Sequence, residues 1–183
     1  MLSLDEGALR FSFPVSGTRT LKYDDSEGYR PHVQKASPSR CGVDILCLTP
    51  DGVLWLVEVK DYRRDDVQQD RSGLADVVVD KVLDTLAGLV CIKHSSWEDN
   101  DFAKAACQAR DIRVVAHVDG LGRWQDDSKH LRKSQTVNAF IADLQVNLHR
   151  KLRKVGLRSD VASLQWPRAD FPWVVSSRSF DAV

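Results

Sequence analysis

The sequence predicts a layered α/β domain, and four segments in a row carry that expectation. Two apolar runs form a hairpin in "VDILCLTPDGVLWLVEVKDYR", residues 43–63, and a strongly helical segment follows from Leu74 to His94. The near-continuous apolar run "IRVVAHV", residues 112–118, comes next and reads as a strand covered on both faces. A long amphipathic helix then runs from Ser134 to Val155. Hairpin, helix, buried strand and helix in this order describe helices layered on a sheet. At 183 residues the chain falls within the size of one domain and can bury a substantial core.

Taken from the N-terminus, residues 8–23 read as two short strands. Leu9, Phe11 and Phe13 alternate with polar residues, "PVSG" makes a turn, and "TRTLKY" is the second strand. Residues 24–42 are polar, hold Pro31 and Pro38, and read as a loop with at most a short helix. In the hairpin turn "TPDGV", proline suits the first turn position and glycine a following left-handed residue. A three-residue loop, Pro50-Asp51-Gly52, of the type I plus G1 bulge kind is expected. A charged connection, "RRDDVQQDRSG", leads to the helix on which Leu74, Val78, Val82, Leu86, Leu89 and Val90 recur at helical spacing. A shorter helix, "DFAKAACQAR", runs into the buried strand. The last long helix gathers Val137, Phe140, Ile141, Leu144, Leu148, Leu152 and Val155 on one face. The tail adds edge strands, because Pro167 and Pro172 argue against a central position. With no internal repeat, low-complexity tract or linker, one domain over 1–183 is expected.

Composition narrows the function classes. The chain is 43% apolar and 28% charged, as in ordinary soluble globular proteins. Its formal net charge is zero, so attraction to nucleic acid has to come from local clustering of charge. No apolar run approaches a bilayer span, and the acidic start "MLSLDEGALRF" lacks a secretory h-region, so a cytoplasmic protein without a membrane partner is expected. Cys41, Cys47, Cys91 and Cys107 have no CxxC spacing and read as reduced thiols.

Burying charge is costly unless it is paired or bound to metal, yet the hairpin carries Asp44, Glu58 and Lys60. Counting back from the turn pairs Thr49 with Val53 and places Asp44 opposite Glu58, on one face. Alternation puts Lys60 on that face too, with Trp55, Val57 and Val59 on the other, ready for a core. Two converging carboxylates bind a hard divalent cation such as Mg²⁺ or Mn²⁺. The metal lowers the pKa of a bound water and stabilises charge on a phosphoryl group, while the lysine orients the water. An ExK alone is also what a solvated strand face with a cross-strand Lys–Glu pair looks like.

"VD" followed after thirteen residues by "EVK" resembles the PD-(D/E)xK nuclease superfamily of restriction endonucleases and Holliday-junction resolvases. "KYDD…YR", "LVEVKDYR" and "DKVLDTLAGLV" are similar to small bacterial members of it. The resemblance implies a restriction-endonuclease-like αβββαβ core, a mixed central sheet flanked by helices, over about residues 20–120. The C-terminal amphipathic helix belongs to a basic extension, about 128–183. It implies metal-ligand roles for Asp44 and Glu58, the catalytic lysine role for Lys60, and a further ligand in the backbone carbonyl of Val59. Val43 stands where the motif has proline. For the fourth acid, Asp24, Asp25 and Glu27 are the candidates, with Asp25 favoured. The implied activity is Mg²⁺- or Mn²⁺-dependent hydrolysis of phosphodiester bonds, in DNA before RNA, in bacterial defence or repair by analogy only. The alternative is a catalytically silent nucleic-acid-binding or scaffold module, and a homodimer or a larger assembly with a partner protein is compatible with either.

Nucleic acid has two candidate footprints. Arg63 and Arg64 follow the motif directly. Between Ser128 and Arg158 the eight cations Lys129, Arg132, Lys133, Arg150, Lys151, Arg153, Lys154 and Arg158 face the single acid Asp143, a sum of 8 − 1 = +7. Cations near a helix C-terminus also follow from its dipole alone. Lys81 has two open placements: an ion pair with Asp84 three residues on, or a position at the site touching phosphate.

Overall fold

The computed structural model describes residues 2–63, 73–120, 130–166 and 168–178, with the backbone alone over 130–136. Among the described residues eight strands and three α-helices follow in the order β1 (Leu2–Glu6), β2 (Leu9–Phe13), β3 (Arg19–Lys22), β4 (Ile45–Leu48), β5 (Val53–Asp61), α1 (Leu74–Lys93), α2 (Asn100–Ala106), β6 (Asp111–Asp119), α3 (His130–Leu152), β7 (Arg158–Ala162) and β8 (Val174–Ser177). A π-helical turn, Tyr29–Gln34, is the short helix in the polar stretch before the hairpin.

The central sheet has the order β3-β4-β5-β6-β7. β3, β4 and β5 form an antiparallel meander, and β6 and β7 continue from β5 in parallel. β5 and β6 therefore lie inside the sheet, which explains why both read as near-continuous apolar runs. Leu46, Leu48, Leu54, Leu56, Val114, Ala116 and Val118 face the helices, where they join Val78, Val82 and Leu89 of α1 and Leu144, Leu148 and Leu152 of α3 in one core. Thus α3 shares the core of the hairpin and is not an appendage to it.

The expected flanking by helices holds for one face only. The other is covered by a second sheet of order β1-β2-β8. Leu9, Phe11 and Phe13 of β2 pack with Ile45, Trp55, Val57, Val115 and Trp173. Large aromatic surfaces fill this layer: Trp173 lies edge-on to Trp55 at 5.3 Å and to Phe13 at 6.1 Å between ring centroids. β1 was not expected as a strand. Its pattern is weak, since Leu2 is 46% exposed and only Leu4 packs on the core. The signal that marks it is the two-residue loop Gly7-Ala8, with Gly7 at φ +56°, which pairs Glu6 with Leu9. β7 and β8 are edge strands, as the tail's prolines predict. Among the described residues no helix is long and apolar enough to cross a membrane.

α1 is pinned to the sheet through Tyr23, which is fully buried and whose hydroxyl donates to the carbonyl of Thr85. Gly88 makes the room: a Cβ there would overlap that hydroxyl. Alanine is the better helix former by about 1 kcal/mol, but overpacking so tight a contact costs about 3 kcal/mol. Gly88→Ala is therefore expected to destabilise by about 2 kcal/mol, read as a lowered urea midpoint at unchanged m-value. An unchanged midpoint would show that Tyr23 moves aside freely.

Candidate functional site

The hairpin turn sets the register of everything beyond it. Gly52 has φ +80°, its N–H donates to the Thr49 carbonyl (2.9 Å), and the Thr49 N–H donates to Val53 (3.0 Å). That is the expected loop. The ladder then runs from Leu48 opposite Leu54 to Ile45 opposite Val57, and one further step sets Asp44 against Glu58. Since Thr49 and Val53 are a hydrogen-bonded pair, alternation makes Asp44 and Glu58 a non-hydrogen-bonded one, the type whose side chains lie closer.

β4 frays at this point because its backbone finds other partners. The Asp44 carbonyl accepts the N–H of Tyr23 (2.9 Å), and the Val43 N–H donates to Thr85 Oγ1 (3.0 Å). The vacated place in the ladder goes to the Asp44 side chain, whose Oδ2 accepts the Val59 N–H at 2.6 Å. A strand residue's N–H and C=O point to the same neighbour, so the Val59 carbonyl faces the Asp44 edge as well. Thr85 was not singled out from the sequence, and only its place one turn beyond Lys81 marked it.

Both carboxylates are buried, Glu58 at 0% and Asp44 at 7% exposure, on the helix-covered face. Two ammonium groups balance them. Lys60 Nζ lies 3.0 Å from Glu58 Oε1. Lys81 Nζ reaches across from α1 to 2.7 and 2.9 Å from the two Glu58 oxygens and 3.7 Å from Asp44 Oδ1. Of its two open placements Lys81 takes the one at the site, and Asp84 pairs instead with Arg40. Burial and the Asp44 and Glu58 charges oppose each other at Lys81, and the carboxylates win, so its pKa is raised.

Burial, then the neighbouring Glu58 charge, push the Asp44 carboxyl up to about 8, against the pull of Lys81 and the Val59 N–H. An unfolded Asp44 titrates near 3.8. The native state therefore holds the extra proton, and the stability tied to Asp44 is complete below pH 3.8 and lost as pH rises through about 8. Without metal, Asp44→Asn is expected to flatten the fall in stability across that window, measured by urea unfolding at stepped pH. A variant falling as steeply as wild type would place the titration elsewhere.

Of the candidates for a fourth acid, Asp25 is exposed and paired with Lys22 (3.0 Å) and Arg30 (2.9 Å). Asp24 is the inward one: its Oδ1 is buried without a hydrogen-bond partner, and burial, with Glu6 and Asp25, pushes it up to about 6. Glu6, at the end of β1, also raises Asp44 and pairs with Lys22 at 3.2 Å. It was missed with its strand. Glu27 is exposed. Among the described residues no three His, Cys, Asp or Glu side chains form a ready metal cluster. What the site offers a hard cation is Asp44, Glu58 and the Val59 carbonyl, with waters completing the shell. That donor set fits Mg²⁺ or Mn²⁺, provided the cation takes the position between the carboxylates now held by the Lys81 ammonium.

Of the nucleic-acid candidates, Lys81 meets the two carboxylates. Arg63 is tied to Asp61 by two contacts, 2.7 and 2.8 Å, and to Ser177 Oγ at 3.0 Å. On α3, Arg150 donates to Asn147 and Lys151 pairs with Asp76 of α1. Arg153 and Lys154 are exposed just past its end. Arg64, Lys129 and the side chains of Arg132 and Lys133 lie outside the described residues. The four thiols are free, with Cys47 buried and the others exposed.

No family model matches the chain, and no solved structure matches it. Among curated proteins it is 28% identical over 150 residues to a cysteine--tRNA ligase of Neisseria meningitidis serogroup A / serotype 4A. The match covers 65% of this chain and 21% of the ligase, so the chain spans about a fifth of that protein's length.

Proposed function

We propose that the chain is a divalent-metal-dependent nuclease that hydrolyses phosphodiester bonds, with DNA as the first substrate class. The observation that carries this reading is the meeting of Asp44, Glu58 and Lys60 on one buried face at the end of a hairpin. Asp44, Glu58 and the Val59 carbonyl would hold the cation, which supplies an activated water and stabilises the phosphoryl charge. Lys60, held by Glu58 at 3.0 Å, would orient that water, and the hydrogen bond from the Val59 N–H to Asp44 would steady the edge on which the cation sits. The order of β3, β4, β5, α1 and β6 supports a restriction-endonuclease-like core, since it repeats the βββαβ part of the αβββαβ pattern. It departs from that pattern in having strands, β1 and β2, ahead of the meander where a helix is implied.

A panel of linear and supercoiled duplex, single strands, branched DNA and RNA, with Mg²⁺ or Mn²⁺, tests the reading. The likeness to a fifth of a tRNA ligase adds tRNA to that panel. Metal-dependent cleavage of any member is the expected result and identifies the substrate. Metal binding without cleavage points to a missing partner protein. Neither binding nor cleavage would leave the binding or scaffold module as the better reading.

A further inference from the structure

The outer side of α1 presents a seam of side chains to solvent. Its inner side packs on the sheet through Val78, Val82, Leu89 and Ile92 and carries Lys81 and Thr85 to the site. Turned away from these are Asp76, Asp80, Leu83, Ala87, Val90 and His94, all exposed. Their spacing alternates between four and three residues along the whole helix. That is the heptad pattern, which keeps one line of side chains facing one partner helix.

A solvent-facing helix side is ordinarily polar along its length. Here the middle of the line is apolar: Leu83 is 42% exposed and Val90 51%, with the small Ala87 between them and Cys91 alongside. Single exposed apolar side chains are normal, but three at consecutive seam positions make a contact line. The ends of the line carry opposite charge. Asp76 and Asp80 stand at the N-terminal end, and Lys93 and His94 at the C-terminal end. Asp76 is paired with Lys151, whereas Asp80 and Lys93 have no ion pair among the described residues.

Such a line complements itself when two copies run in opposite directions. With a two-fold axis at Ala87, Leu83 of one copy comes level with Cys91 and beside Val90 of the other. Asp80 comes level with His94 and one residue from Lys93, so each acidic end meets a basic end. The antiparallel arrangement also sets the two helix dipoles against each other favourably. A parallel pair would instead stack acid on acid and base on base. We propose that this face is the contact between two copies of the chain, joined as an antiparallel pair of α1 helices about a two-fold axis. Contacts of this self-complementary kind are the commonest in soluble oligomers. One helix face per copy is small beside the roughly 1,200–2,000 Å² of stable interfaces, so the Kd is on the order of tens of micromolar. The proposal does not rest on the nuclease reading, because the seam lies on the side of α1 turned away from Glu58.

Sedimentation velocity of the full chain between about 5 and 500 µM tests it, with the monomer-to-dimer shift expected inside that range. Ala87→Glu sets two like charges at the axis and should weaken association at least about tenfold. Ala87 is exposed and glutamate is a good helix former, so circular dichroism should be unchanged. Asp80→Lys and Lys93→Glu each make the facing ends repel, and each alone should self-associate at least about threefold more weakly. Mixed in equal amounts, these two variants should associate as tightly as wild type, because every end again meets its opposite. A chain that stays monomeric throughout leaves the seam to a different protein and overturns the assignment. So would a dimer indifferent to Ala87→Glu, or a mixture of the two charge variants that associates no better than each alone.

Discussion

Glu58→Ala is expected to abolish metal-dependent cleavage, lowering the rate at least about a thousandfold, and Lys60→Ala to lower it by a similar order. A bound metal contributes several kcal/mol to phosphoryl charge stabilisation. Each 1.36 kcal/mol is tenfold in rate, so losing about 4 kcal/mol costs roughly a thousandfold. Glu58 also holds Lys60 (3.0 Å) and Lys81 (2.7 Å), so its removal disorders both cations as well as the ligand set. Lys60 is the informative partner. It is no ligand, so Lys60→Ala should leave Mn²⁺ affinity nearly unchanged while cleavage collapses. Measured single-turnover rates and calorimetric affinities separate the two. Cleavage surviving in Lys60→Ala would remove the lysine from the chemistry and leave only a structural ion pair.

The second large effect belongs to Lys81, whose ammonium lies where the two carboxylates converge. A divalent cation entering that position must displace it. Lys81→Met should therefore bind Mn²⁺ more tightly than wild type, by about tenfold if the displaced contacts with Glu58 and Asp44 are worth a charge-assisted hydrogen bond of about 1.5 kcal/mol. The same substitution should destabilise the metal-free protein. A buried charge left wholly unpaired costs about 3–5 kcal/mol. Lys60 remains beside Glu58, so about 2 kcal/mol is expected. Opposite signs for metal affinity and metal-free stability in one variant are the signature. Weaker Mn²⁺ binding would mean that Lys81 supports the cation from outside its shell.

The hairpin was legible because a short loop with Pro50 and Gly52 admits few registers, and one register fixes every residue beyond it. From that alone Asp44, Glu58 and Lys60 fall on one face. Lys81 was ambiguous because helical spacing puts Asp84 within its reach, and only the packing of α1 against the β4 end chooses between them. Which acid of "DDSE" turns inward could not be read, because the stretch shows four adjacent polar residues and no pattern. The backbone after β3 turns Asp24 inward, burying its Oδ1, and leaves Asp25 to Lys22 and Arg30. Glu6 and the second sheet were hidden for a related reason. β1 buries little, and β2 pairs on its other side with β8, more than 160 residues away in sequence, a contact that no local pattern announces. The Phe11, Phe13 and Trp173 layer that results is what closes the face opposite the site.

The central claim is that Asp44 and Glu58 together hold a divalent cation. Calorimetric titration of Mn²⁺ into the full chain, beside Asp44→Asn, tests it most directly. The account predicts one saturable site in the wild type and its loss in the variant, with the fold intact by circular dichroism. Absence of Mn²⁺ binding in the wild type, or equal binding in the variant, would contradict it.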